Sequence, residues 1–72
     1  MSVATIAAME RAQGGRCLLC GEVKPLAVDH DHVTGAVRGL LCKGCNTGIG
    51  LLREDPMLLR AAARYLESHR GG

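Results

Sequence analysis

Seventy-two residues make room for one small domain, and its core must be thin: the chain has no Phe, no Trp and one tyrosine, Tyr65. A net charge of +2 is too mild to mark a nucleic-acid binder by charge alone, and no run of about 18 apolar residues exists to cross a membrane as a helix. Such a chain, its apolar content drawn mostly from Ala, Leu and Val, needs a staple, either disulfides or a metal.

The first segment, about 2–13, reads as a helix capped by Ser2, with Val3, Ile6, Ala7 and Glu10 at helical spacing. It lacks a basic leader, so a helix is expected rather than a secretory signal. Gly14-Gly15 ends it. Cys17-Leu18-Leu19-Cys20-Gly21 then forms a tight knuckle, with Gly21 free to take a left-handed turn. After the break at Lys24-Pro25, Leu26 to His30 alternates as a strand, with Leu26, Val28 and His30 on one side and Ala27 and Asp29 on the other. Thr34-Gly35 marks the turn of a hairpin, and Ala36 to Leu41 returns. Gly39 inside that strand predicts a bulge or a close backbone approach.

A second knuckle, Cys42 to Cys45, leads into a helix from about Lys43 to Leu52. Gly48 and Gly50 weaken this helix by about 1 kcal/mol each relative to alanine. Tight packing on the hairpin, a phosphate, or fraying near the helix end would each account for them. Asp55-Pro56 is a strong start for a last helix running to about His69, its apolar part made of Leu58, Leu59, Ala62, Ala63, Tyr65 and Leu66. Basic residues collect in the second half, with Arg38, Lys43, Arg53, Arg60, Arg64 and Arg70 opposed by Glu54, Asp55 and Glu67.

Cys17, Cys20, Cys42 and Cys45 permit either two disulfides or one metal site. Two residues between paired cysteines suit tetrahedral thiolate ligation, and pairs about twenty residues apart read as a zinc site. A reducing cytosolic compartment follows. A finger of two Cys and two His fits worse. One residue separates His30 from His32, where fingers place three to five. The expected fold is a small α+β zinc-stabilised domain. Its treble-clef-like ββα-metal core of knuckle, hairpin and helix spans about 16–52, with flanking helices at about 2–13 and 55–69.

Four cysteines close a structural zinc site, which leaves Asp29-His30-Asp31-His32 unexplained. These four residues would suit a polar hairpin loop that bonds to itself and to water. Asn46 favours another reading. A helix start pinned by the same zinc sets its amide against the hairpin carboxylates, and oxygen ligands of that kind suit Mg²⁺ or Mn²⁺. Such an ion would stabilise a phosphodiester's developing charge while a neutral histidine takes a proton from water. For Asp29 and His30 to share one site, the strand must end, twist sharply or bulge there, because strand neighbours point to opposite faces.

The stretch Cys17-Leu-Leu-Cys20, Val28-Asp29-His30-Asp31-His32, Thr34-Gly-Ala-Val-Arg38-Gly-Leu-Leu-Cys42, Cys45-Asn46 and Gly48-Ile-Gly50 resembles the recombination endonuclease VII family of phage-type nucleases. That family lies within the His-Me finger, or HNH-like, superfamily. The resemblance implies one endonuclease domain over 1–72, with the four cysteines on structural Zn²⁺. By the same resemblance Asp29 and Asn46 would be ligands of a catalytic Mg²⁺ or Mn²⁺, and His30 the general base. His32 would orient that base or contact the phosphate. Some relatives carry an acidic residue where Ile49 stands here, so either the metal has one fewer carboxylate nearby or Asp31 compensates.

The resemblance further implies nicking or cleavage of duplex DNA with weak sequence preference, in a host cytoplasm. The archetypal member resolves branched DNA as an intertwined dimer, so a homodimer or a phage packaging or recombination partner is also implied. Phosphate contacts are expected from Arg38 and Lys43 first, extended by Arg53, Arg60 and Arg64. A non-catalytic zinc module that binds nucleic acid or protein is the alternative.

Overall fold

The computed structural model describes residues 3–70. In chain order it holds α1 (Val3–Ala12), β1 (Leu26–His30), β2 (Val37–Cys42), α2 (Lys43–Leu51) and α3 (Pro56–Arg70). The expected cap at Ser2 lies outside the described residues.

Helix α1 stops where two glycines take φ of 65° and 70°. The Gly15 N–H reaches the Glu10 carbonyl at 2.9 Å and the Gly14 N–H reaches Arg11 at 3.0 Å, the paired closure that left-handed glycine permits. Gln13, the last residue before those glycines, ties α1 to the sheet. Its amide donates to the Leu40 carbonyl at 2.9 Å and accepts from the Leu40 N–H at 3.0 Å. One side chain thus occupies the outer edge of β2 as a neighbouring strand would.

The knuckle that follows is closed by an isolated bridge between Arg16 and Val23 and by the Cys17 N–H donating to Glu22 at 3.0 Å. Gly21 takes φ of 76°, as its place after the cysteine pair predicts.

Strands β1 and β2 pair antiparallel with Leu26 opposite Cys42, Val28 opposite Leu40 and Asp29 opposite Gly39. The register then slips: His30 pairs with Val37, so Arg38 is an extra residue in β2. The bulge stands opposite the Asp29–His30 step, with its extra residue in β2 rather than in β1. Gly39 beside it is also a close approach, because an added Cβ would lie 2.6 Å from Leu18 Cδ2.

Strand β2 runs without a break into α2, with Cys42 as both strand end and helix cap. Its Sγ accepts the Cys45 N–H at 3.5 Å. The core is correspondingly small. Cys17, Leu41 and Cys42 are buried together, with Leu26, Cys45 and Ile49 packed on them.

A sharp turn joins α2 to α3, and Arg53 and Glu54 there adopt φ of 60° and 53°. Asp55 then caps α3 through Oδ1, which accepts the Met57 N–H at 2.9 Å. The apolar stripe expected along α3 is covered only at its start. Leu58, Leu59 and Ala62 are half-buried, whereas Ala63 is exposed and Tyr65 and Leu66 are 65% and 55% exposed. The radius of gyration is 14.1 Å, against about 11 Å for a close-packed chain of this length, because α3 projects from the hairpin.

Candidate metal centre and active-site cluster

The two knuckles bring Cys17, Cys20, Cys42 and Cys45 together, with all four sulfurs within 4.8 Å of one another. Tetrahedral thiolates on zinc, at a bond length near 2.3 Å, have sulfurs about 3.8 Å apart. Cys20 Sγ and Cys42 Sγ lie 3.9 Å apart, so the donor set fits a thiolate-bound metal ion. Each knuckle also aims an N–H at its first sulfur, Cys20 to Cys17 and Cys45 to Cys42, both at 3.5 Å.

Charge within the cluster is uneven. Burial works against a Cys17 thiolate, yet the N–H groups of Cys20, Cys42 and Leu19 outweigh it and lower its pKa to about 6. The bond with Cys42, then burial, pushes the Cys45 thiol up to about 12. Cys20 also rises, although the Glu22 N–H pulls the other way, because burial and neighbouring Cys17 prevail. Without a cation, one thiolate makes the next costlier, and a bound divalent metal removes that conflict.

The bulge supplies the second feature. In a regular ladder Arg38 would stand opposite His30 and point away from the face of Asp29. Displaced by the slip, it meets Asp29 in a forked pair, with Nε to Oδ2 at 2.7 Å and Nη2 to Oδ1 at 2.9 Å. Asp29 is buried, and the pairing meets the demand that a buried carboxylate be bonded. Arg38 Nη2 also bonds Glu54 Oε1, and Glu54 Oε2 lies 2.6 Å from His32 Nδ1. Asp29, Arg38, Glu54 and His32 form one continuous polar chain between the hairpin and the α2–α3 turn. Asp29 first and Glu54 second hold the Arg38 guanidinium more firmly protonated than a free one.

The remaining expected residues are placed differently. His30 is exposed at the end of β1 and Asn46 is half-buried in the first turns of α2; neither side chain has a hydrogen-bond partner among the described residues. Asp31 is engaged through one of its two carboxylate oxygens. Its Oδ1 accepts the N–H groups of Val33 at 2.8 Å and Thr34 at 3.0 Å, which shapes the hairpin loop. Those two bonds, Thr34 first, hold its carboxyl below the usual 3.8. Lys43, Arg53, Arg60 and Arg64 are exposed, whereas Arg38 is engaged by two carboxylates.

A shallow cleft of about 230 Å³ is lined by Asp31, His32, Val33, Arg38, Arg53 and Glu54. Sequence reasoning gave Glu54 only as a counter-charge to the basic residues and passed over Gln13. The first lies 22 residues from His32 and the second 27 residues from Leu40, and no local pattern marks either pairing.

No helix among the described residues is long and apolar enough to cross a membrane. Residues 1–68 match the sequence model of recombination endonuclease VII. The gene 59 protein of Mycobacterium phage D29 is 52% identical over 59 residues, an alignment covering 75% of this chain and 36% of that protein. The gene 59 protein of Mycobacterium phage L5 is 49% identical over 59 residues with the same shares, 75% and 36%. The chain thus spans about a third of the length of these curated relatives. No solved structure matches it. With the family's model matched over nearly its whole length, the chain belongs to the recombination endonuclease VII family.

Proposed function

We propose that this chain is a metal-dependent DNA endonuclease domain, spanning 1–72, that hydrolyses phosphodiester bonds in duplex DNA with weak sequence preference. The observation that carries it is a buried carboxylate, Asp29, at a bulged hairpin end whose return strand leads through two of the four clustered cysteines into the helix bearing Asn46. Family membership supports the same reading.

In this reading the cysteines hold one Zn²⁺ that fastens knuckle, hairpin and α2 into a treble-clef arrangement and supplies folding energy the small core lacks. Asp29 and Asn46 hold Mg²⁺ or Mn²⁺. Once bound, that ion offsets the charge that develops on the scissile phosphate and its leaving oxygen. The forked bond to Arg38 uses one lone pair on each Asp29 oxygen and leaves another on each for a cation. His30, exposed and with no side-chain partner among the described residues, accepts a proton from the attacking water. His32, which lines the cleft, contacts the phosphate or orients the base. Lys43, Arg53, Arg60 and Arg64 contact backbone phosphates, which positions DNA without reading its sequence.

The engagement of Asp29 by Arg38 favours the second reading, a non-catalytic zinc module. Plasmid nicking separates the two. Supercoiled DNA is incubated with the zinc-loaded protein and Mg²⁺ or Mn²⁺, alongside His30→Ala, Asp29→Ala and Asn46→Ala. Loss of cleavage by about a hundredfold or more is expected in variants that keep their zinc and circular dichroism. Undiminished cleavage by the folded variants would overturn the assigned roles, and binding without cleavage by the unaltered protein would establish the module.

A further inference from the structure

The α2–α3 turn holds two successive non-glycine residues in the left-handed region, Arg53 and Glu54. Arg53 occupies the place after a helix end where glycine is usual: its N–H closes on Gly50 at 2.9 Å and the Glu54 N–H on Ile49 at 2.8 Å. A side chain held there is strained and persists where surrounding contacts enforce it. The contacts here belong to the Glu54 carboxylate. It is 16% exposed, with Oε2 at 2.6 Å from His32 Nδ1 and Oε1 bonded to Arg38.

A carboxylate oxygen only accepts, so a hydrogen bond along this 2.6 Å contact calls for the ring form with its proton on Nδ1. In the neutral ring, Nε2 is then the unprotonated nitrogen on a side chain that is 80% exposed and lines the cleft. On its other oxygen the carboxylate fixes the Arg38 guanidinium that forks onto Asp29.

We propose that Glu54 is a positioning residue of the nuclease site: it fixes the tautomer and orientation of His32 and anchors Arg38 against Asp29. The inference rests on the nuclease reading for its catalytic consequence, but the orientation of the ring is measurable without cleavage.

The test uses zinc-loaded protein with ¹⁵N-labelled histidine and NMR of the ring nitrogens at a pH where the imidazoles are neutral. His32 is expected as the Nδ1–H tautomer. Glu54→Asn suits the left-handed backbone but is too short to bridge both partners, and should return His32 to mostly Nε2–H. Glu54→Gln retains one acceptor oxygen and should restore part of the Nδ1–H population. Cleavage by Glu54→Asn should fall about tenfold or more in kcat with little change in KM for DNA. Glu54→Ala, matched for zinc content, guards against misfolding of either variant. An unchanged His32 tautomer in Glu54→Asn, with an active unaltered protein, would overturn the role of Glu54 alone. The expected tautomer change in a protein that cuts no DNA would support that positioning and fault the nuclease reading alone.

Discussion

Gly48 lies inside α2, and an added Cβ there would meet nothing within 4 Å. Packing on the hairpin is therefore not what requires the glycine. Alanine is favoured over glycine in a helix interior by about 1 kcal/mol, because it restricts the unfolded backbone and shields the helix from water. Gly48→Ala should thus raise the folding equilibrium about fivefold and the melting temperature by about 4–8 °C for a domain of this size. Gly50 has equal space, but lies in the last turn and should contribute less. The assay is thermal and guanidinium unfolding followed by circular dichroism at one buffered free-zinc concentration, since metal binding itself stabilises the folded state. A melting temperature lowered by several degrees would refute the reasoning and show that α2 is packed more tightly than the contacts here allow. Plasmid cleavage by the same variant separates the remaining explanations. A stabler protein that cuts poorly places the α2 backbone against DNA, and one that cuts normally leaves the glycine without a functional reason.

Cys42→Ser should abolish stoichiometric zinc and cooperative unfolding together, as read by metal analysis and circular dichroism; a folded, zinc-free variant would contradict the metal's role as staple. Gln13→Ala strips the N–H of buried Leu40 of its partner and should cost about 2 kcal/mol by denaturant titration; a change below about 0.5 kcal/mol would dismiss the strand-like role of that amide. Asp31 is held below its ordinary 3.8 by the N–H groups of Thr34 and Val33, so its ionised form favours the folded loop. That contribution is complete above the unfolded value and disappears as pH falls through the lower folded value. The stability difference between the protein and Asp31→Asn should therefore be flat near neutrality and shrink below about pH 4.

The elements legible in the sequence are those whose signal is local. Cysteines three apart announced the knuckles, Gly21 the left-handed turn between them and Arg16–Val23, and Asp55-Pro56 the start of α3. Alternation gave both strands, and the ladder pairs regularly from Leu26 to Asp29. It did not give the depth of each residue: Ala27 and Asp29 alternate alike, yet Asp29 is buried and Ala27 is exposed. A counting pattern carries no information about a residue inserted in the partner strand, and Arg38 in β2 is that residue. The apolar residues of α3 gave the helix but not how much of its apolar part is covered. Periodicity shows that a face exists, while burial depends on whether another element reaches it, and β1, β2 and α2 together present too little surface to cover Tyr65 and Leu66. Glu54 was hidden for a related reason. Its partners are a histidine and an arginine brought near it only by the hairpin and by a turn that spacing does not predict.

The Asp29–Arg38 fork bears on how such a site can exist before it binds a cation. A lone ionised carboxylate buried at a hairpin end would be costly, and the core beside it, Cys17, Leu41 and Cys42, is too small to absorb that cost. The bulge turns a guanidinium onto the carboxylate in a forked pair, and Glu54 balances the added positive charge. Folding around a metal-loaded cysteine cluster can thus be completed with Asp29 already paired. On the proposed mechanism, a divalent ion then meets a preformed carboxylate with lone pairs to spare, and Arg38 remains close enough to share charge with an incoming phosphate. The cysteines and the Asp29–His32 chain therefore solve separate problems: the first supplies a fold to a sequence with almost no aromatic core, and the second keeps a charged site paired inside it.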